Sequence, residues 1–172
     1  MEIKTIEEAK DAIAGWLKDN EHQCSPVPDD NANFHYEIDY PIGSMKRQRV
    51  IQPNEYKDLI LVLNGVAIAD EHKAQLEEMS EEERDIFYED IRGDLLFLDN
   101  SFDMNTDDKG VVQQVQFSYE FYFDALTKTQ LYKALLLNHR TLLYIVTAFN
   151  KRFGIPEMPE QTEGEGEGEH AH

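Results

Sequence analysis

Residues 111–153, VVQQVQFSYEFYFDALTKTQLYKALLLNHRTLLYIVTAFNKRF, decide the fold class. The first part, Val111 to Phe123, alternates apolar and polar side chains with the period of a half-buried strand. A short turn and the capping box Thr127–Gln130 follow, and apolar residues then recur at helical spacing up to Gly154. A long strand that leads directly into a long apolar helix is typical of an α+β protein with helices packed on a sheet.

The residues before this segment predict a first helix and three strands. The capping box Thr5–Glu8 and the apolar spacing after it predict a helix over 5–19. Residues 25–31 contain two prolines and several turn-forming residues, so we expect a loop there. Alternating or continuous apolar runs predict strands at 33–40, 47–52 and 58–68.

The middle of the chain predicts one helical region and a weak strand. Asn64-Gly65 leaves open a hairpin that would divide the third strand. Residues 70–97 are charged and carry apolar side chains at helical spacing, which predicts a second helical region. Residues 99–110 favour a loop with a short edge strand near 102–104 and a hairpin turn at its end.

Together these elements predict one α+β domain over residues 1–156. Its antiparallel sheet has about four to five strands packed against helices, in the order α-β-β-β-α-(β)-β-α. Residues 157–172 contain six glutamates, no lysine or arginine and a Glu-Gly repeat, which predicts a disordered acidic tail.

Charge and cysteine content limit the partners and the compartment. The 172 residues include 35 acidic and 16 basic side chains, for a net charge of -19, which argues against nucleic acid and anionic membrane surfaces as partners. The single cysteine, Cys24, suggests a reducing compartment. The N-terminal residues lack the pattern of a signal peptide, and no apolar stretch approaches the length of a membrane span. We therefore expect a cytoplasmic protein.

No catalytic chemistry is predicted from the motifs. The sequence contains no nucleophile elbow, HExxH motif, phosphate loop or dinucleotide fingerprint. Asp103, Asn105 and Asp107 match the first ligands of a calcium loop, but the required glycine and glutamate are replaced by Asp108 and Gln114. We predict no catalytic residue, no cofactor and no metal ligand. The lack of catalytic motifs favours a protein that is not an enzyme.

The last helix is apolar over more than one face. Beyond its main stripe, Leu136, Leu137, Leu143 and Tyr144 widen the apolar surface, which predicts an interface with a second subunit or a partner. The alternative is that the first helix and loops cover these residues within one monomer. Asn138 lies in the main stripe, where it either sets the register of a helix pair or is hydrogen-bonded at a boundary.

Two stretches carry a family resemblance. Met79–Arg84 with Phe87, and Phe121–Lys128 at the start of the last helix, resemble an archaeal family of uncharacterised proteins over roughly residues 3–155. The element order also resembles the type III secretion chaperone-like fold. The resemblance implies a small, acidic, often dimeric α+β protein whose relatives include chaperones that hold unfolded segments of partner proteins. It supplies no catalytic residues.

These observations lead to one main hypothesis and two alternatives. The main hypothesis is a non-catalytic protein-interaction or chaperone-like module, a homodimer that binds a polypeptide along its sheet or long helix. The first alternative is a small-molecule sensor or enzyme with a pocket between sheet and helices, edged by Tyr36, His35, Tyr119 and Tyr122. The second is a structural subunit of a larger complex.

Overall fold

The computed structural model describes residues 2–157, and over this range the chain forms an antiparallel sheet with helices packed against it. The helices are α1 (Ile6–Asp19), α2 (Asp70–Glu78), α3 (Glu81–Leu95) and α4 (Lys128–Phe153). The strands are β1 (Cys24–Pro26), β2 (Ala32–Asp39), β3 (Arg47–Pro53), β4 (Leu59–Ala67), β5 (Ser101–Thr106) and β6 (Val112–Tyr122). The predicted α+β class is confirmed.

The sheet has six strands in the order β1-β2-β3-β4-β6-β5, and all neighbours are antiparallel. The alternation of buried and exposed side chains along β6 shows which face of the sheet the helices cover. Val115, Phe117 and Phe121 are buried in the two hydrophobic clusters with helix residues, whereas Gln116 and Glu120 on the opposite face are exposed. One face of the sheet is therefore packed against helices, and the other, here called the open face, carries more polar side chains.

Polar side chains fix α4 on the central strands. Asn138 is fully buried, and its amide donates to the carbonyl oxygen of Val62 in β4 at 2.9 Å. Asn100 donates to Asn138 Oδ1 at 3.1 Å and to Thr141 Oγ1 at 2.9 Å. Gln48 in β3 donates to the Leu135 carbonyl oxygen at 2.9 Å. Asn138 is thus hydrogen-bonded inside the chain.

The helix ends agree with the predicted caps, except that only the Thr127 half of the capping box predicted at Thr127–Gln130 forms. Thr5 and Ser80 form complete capping boxes at α1 and α3, and Thr127 accepts from the backbone N–H of Gln130 at 3.1 Å at the start of α4. Gly154 follows α4 with φ of 88°, a conformation that glycine adopts without strain.

Several boundaries differ from the prediction. The expected loop over 25–31 contains part of β1, which is only three residues long and depends on pairing with β2, so the local sequence does not reveal it. The alternative prediction of a hairpin at Asn64-Gly65 is wrong, because β4 continues through both residues and pairs with β6. The single helical region over 70–97 is two helices, because α2 ends at Glu78, Met79 is extended and Ser80 caps α3.

The edge strand predicted near 102–104 is β5. The sheet therefore has one strand more than the predicted maximum. The predicted tail over 157–172 lies outside the described residues except for Glu157. Within residues 2–157 no helix combines the length and apolarity needed to cross a membrane.

Candidate interaction surface

The four residues predicted to edge a pocket lie on two faces of the sheet. Tyr36 is buried in the core under the helices, and Tyr119 on the same face accepts a hydrogen bond from Gln130 Nε2 at 3.1 Å. His35 and Tyr122 lie on the open face, where Tyr122 is 53% exposed. The structure does not bring the four side chains together.

The predicted interface residues form two pairs on α4. Leu136 and Leu143 point to solvent, with 37% and 48% of their surface exposed. Leu137 and Tyr144 are half-buried, and the Tyr144 hydroxyl donates to Asp94 Oδ2 at 2.6 Å near the end of α3. Burial raises the pKa of Tyr144, and the adjacent Asp94 carboxylate raises it further. Leu136 and Leu143 are therefore the two that remain available to a partner.

Leu136 and Leu143 belong to a longer stripe on α4. Spacings of four and three residues alternate along this stripe, as they do in the contact line of two paired helices. Each member is exposed or half-buried. We call this stripe the outer seam; its members are Tyr132, Leu136, His139, Leu143, Val146 and Asn150.

The charge of α4 is opposite to that of the whole chain. The helix contains five basic residues and no acidic residue, although the chain has a net charge of -19. All five are exposed, and none forms an ion pair with a carboxylate of residues 2–157. They are Lys128, Lys133, Arg140, Lys151 and Arg152. The outer seam is therefore a mainly apolar stripe with Lys133, Arg140 and Lys151 along one side, and these cations form no ion pair within residues 2–157.

Helix α3 has an excess of acidic residues, which complements the basic residues of α4. It contains seven acidic and two basic residues. Its outward side also carries apolar side chains, with Ile86 exposed to 56% and, just beyond its end, Leu96 to 74% and Phe97 to 90%. A Cβ on Gly93 would meet no atom within 4 Å beyond its own turn of helix, so no other segment of residues 2–157 packs closely there. We call Ile86, Gly93, Leu96 and Phe97 with the surrounding carboxylates the acidic ridge.

Two histidines in the part of the chain that the structure describes are largely buried and lie against distant backbone groups. No group of three His, Cys, Asp or Glu side chains there is placed to hold a metal ion. His22 Nδ1 lies 2.7 Å from the Asp39 carbonyl oxygen and 3.3 Å from its Oδ1, and both side chains are nearly inaccessible. The buried His72 Nε2 lies 2.7 Å from the Gly154 carbonyl oxygen. Both histidines join segments that are distant in sequence.

The net charge of the whole chain hides the charge difference between α3 and α4, which only a count for each helix reveals. Residues 128–153 contain no carboxylate side chain, and this is visible in the sequence alone. The exposure of Leu96 and Phe97 is not, because these residues continue the apolar spacing of a helix that was predicted to extend to residue 97.

Comparison with known proteins gives a family and a structural neighbour. A family described as Uncharacterized conserved protein (DUF2299) matches residues 9–149. The solved structure described as "Crystal structure of an uncharacterized protein from Methanothermobacter thermautotrophicus" is similar to 85% of this chain and 99% of that chain, with 28% sequence identity and a TM-score of 0.79. No curated protein matches. The resemblance to uncharacterised proteins with an archaeal relative is confirmed.

Proposed function

This chain belongs to the DUF2299 family of uncharacterized conserved proteins, and we propose that it is a non-catalytic, cytoplasmic protein-interaction module that acts as a homodimer. The observation that carries this proposal is the outer seam of α4. A row of partly exposed, mainly apolar side chains lies there beside cations that have no ion-pair partner in residues 2–157. Apolar side chains exposed in a row with unpaired charge beside them are typical of an interaction surface.

A second copy of the chain supplies the matching surface. The acidic ridge of α3 has exposed apolar side chains and an excess of carboxylates, which complement the leucines and cations of the outer seam. In a two-fold dimer the contact occurs twice, with α3 of each copy on α4 of the other. Two α4 helices in direct contact would instead bring cations together without any carboxylate.

Apolar burial supplies most of the stabilisation in this arrangement. Complete burial of a Leu or Phe side chain contributes about 1.5–3 kcal/mol. An exposed ion pair contributes only about 0.2–1 kcal/mol. The charges therefore determine which helix is the partner and how it is oriented. Most of the affinity comes from burial of Leu136, Leu143, Leu96 and Phe97.

The chaperone-like part of the proposal rests on the open face. Ile51, Leu61 and Leu63 lie half-buried on adjacent strands there. An extended polypeptide with apolar side chains would cover them. Polypeptide binding is also what the resemblance to the type III secretion chaperone-like fold implies. We therefore propose that a polypeptide binds on the open face.

A small-molecule site is the competing function. An apolar cavity of about 170 Å³ lies between the end of β4 and α4, with His72, Ile145 and Phe149 in its wall. Binding sites for small molecules usually have about 300–1,000 Å³, so this cavity would hold only a small ligand.

Sedimentation velocity over a series of protein concentrations tests the homodimer. We expect the wild type to sediment as a dimer and Phe97→Asp as a folded monomer, because Phe97 is 90% exposed within the chain. Met45→Asp is the matched control, since Met45 is 93% exposed but lies in a loop outside both surfaces. A wild type that stays monomeric at every concentration would overturn the proposal.

A further inference from the structure

A polar recess lies on the open face of the sheet, over β4. Its floor contains two small residues, Gly65 and Ala67, with longer side chains on both sides. Gln116 of β6 pairs with Gly65, and the β3–β4 register continued by two residues places Arg47 opposite Gly65. Adjacent strands lie about 4.8 Å apart, so β3 and β6 are roughly 10 Å apart. The recess between them has a volume of about 220 Å³, and we call it the arginine recess.

The long side chains on both sides of the arginine recess carry hydrogen-bond donors. Arg47 and Arg49 of β3 line one side, and Gln114 and Gln116 of β6 line the other. A guanidinium group has five N–H donors and no acceptor, and a glutamine amide has two N–H donors. Both arginines are exposed. The recess therefore offers two positive charges on one side and further donors on the opposite side.

The two arginines form no ion pair, although a carboxylate lies opposite each of them in β2. The β2–β3 register pairs Glu37 with Arg49 and Asp39 with Arg47. Neither arginine forms an ion pair within residues 2–157. The Asp39 carboxylate accepts instead from other donors, among them the backbone N–H of Gln23 at 2.7 Å. Both positive charges are therefore available to a ligand in the recess.

The size of the recess and the charges around it select a small anion. The volume corresponds to about seven water molecules, below the roughly 300–1,000 Å³ of sites for drug-sized ligands. The lining of the recess contains no carboxylate, so a small anion there contacts donors only. An extended acidic polypeptide would also lie against Glu37, Asp103 and Glu120, which the strand registers place on the same face. Like charges would oppose that contact.

The arrangement of the donors favours a phosphate group over a carboxylate. A carboxylate presents two oxygens at one end, whereas a phosphate group on a small molecule has three strong acceptor oxygens that point in different directions. Phosphate oxygens can therefore accept from both sides of the recess at once. Arginine also binds phosphate oxygens in a bidentate manner.

We propose that the arginine recess binds phosphate, either as the free ion or as the terminal group of a small molecule. Arg47 and Arg49 hold phosphate oxygens on one side, and the side-chain amide of Gln116 donates from the other. Gly65 and Ala67 leave the space that the phosphate group occupies. This site is separate from the outer seam and from the apolar cavity beside α4, and it does not depend on the proposed homodimer.

A nuclear magnetic resonance titration of the full chain with inorganic phosphate at constant ionic strength tests the site. We expect saturable shifts of the backbone amide signal of Gly65 and of the side-chain Nε–H signals of Arg47 and Arg49. Sodium acetate at the same ionic strength is the control and should give no saturable shift. Absence of saturable shifts with phosphate would overturn the proposal. Equal saturable shifts with acetate would also overturn it, because they would show an unselective anion effect.

Replacement of the two arginines separates local contacts from the field of the whole protein. Arg47→Gln with Arg49→Gln should weaken phosphate binding by about tenfold or more, because charge-assisted hydrogen bonds are lost. The Gly65 amide signal reports the affinity. Lys18→Gln with Arg152→Gln removes the same charge from exposed positions on α1 and α4, at the helix-covered face, and should leave the affinity unchanged. Equal weakening in both pairs would contradict a local site.

Ala67→Leu tests the shape of the recess with both arginines in place. Position 67 is exposed, so a larger side chain there does not disturb the core. We expect phosphate binding to weaken by about tenfold, because the leucine side chain occupies the floor of the recess. An unchanged affinity would contradict the proposed position of the phosphate group.

A titration of the wild type with glycerol 3-phosphate distinguishes the two forms of the ligand. Tighter binding of glycerol 3-phosphate than of inorganic phosphate would identify a phosphorylated small molecule as the ligand. Weaker binding would identify the free ion. Either result requires that the shifts be lost in the variant with both arginines replaced, and shifts that persist in that variant would overturn the proposal.

Discussion

The side-chain amide of Asn138, at the centre of α4, donates a hydrogen bond of 2.9 Å to the backbone carbonyl oxygen of Val62 in the central strand β4. The carbonyl oxygen of the same amide accepts from Asn100 at 3.1 Å. Because buried polar groups need partners, this contact fixes where α4 lies on the sheet. It thereby fixes which leucines of α4 face the core and which face solvent.

We expect Asn138→Ala to destabilise the fold. The change leaves the Val62 carbonyl without this donor and Asn100 without one acceptor in a buried site, at a cost of about 1–3 kcal/mol for each unsatisfied group. Urea unfolding measures the difference. Asn150→Ala on the outer seam is the control and should change the free energy of unfolding by no more than about 0.5 kcal/mol. Equal stabilities of the two variants would contradict the role of Asn138.

Leu136→Asp and Leu143→Asp should each give a folded monomer. The two side chains are 37% and 48% exposed, so a carboxylate there stays hydrated in the monomer but opposes burial against a second copy. Light scattering reports the mass and circular dichroism the fold. Leu142→Asp, at a position 3% exposed, should unfold the chain and serves as the control for core damage. Unfolding of the first two variants would show that these leucines are core residues.

Asp39 should stabilise the fold in a pH-dependent way. Burial raises the pKa of its carboxyl, but hydrogen bonds from the backbone N–H groups of Gly43 and Gln23 and the contact with His22 outweigh it and hold the pKa below its ordinary value of 3.8. A pKa lowered by folding gives stabilisation that is present above the unfolded pKa and is lost as pH falls through the folded pKa.

Asp39→Asn removes this contribution. The free energy of unfolding of the wild type should exceed that of Asp39→Asn by an amount that is constant near neutral pH and decreases below about pH 4. Urea unfolding between pH 7 and pH 3 measures it, with Asp124→Asn as a control at an exposed carboxylate. A difference that does not decrease in acid would contradict the lowered pKa.

The strongly periodic parts of the fold were predictable from sequence. The alternation that ends at Phe123 and the caps at Thr127 and Gly154 locate β6 and α4 almost to the residue, because both signals are local. Strand β1 has no local sequence signal, because Cys24 to Pro26 form a strand only by pairing with β2.

The predicted sites depended on tertiary placement and were less accurate. Adjacent strand residues face opposite sides, so His35 and Tyr36 could not share a pocket wall, and this was already decided by the alternation in β2. The exposure of Leu136 and Leu143, by contrast, depends on where Asn138 anchors α4, which no local pattern reveals.

A charge-reversal series tests the pairing of α3 with α4 in a second copy most directly. Sedimentation velocity compares the wild type, Lys133→Glu with Arg140→Glu on α4, Glu82→Lys with Glu89→Lys on α3, and the protein with all four changes. Each reversed helix should repel its partner and weaken the dimer by about tenfold or more, since 1.4 kcal/mol is a factor of ten in Kd. We predict that both double variants are monomeric where the wild type is dimeric, and that the fourfold variant is dimeric again. A fourfold variant that remains monomeric, or double variants that dimerise as the wild type does, would contradict this pairing.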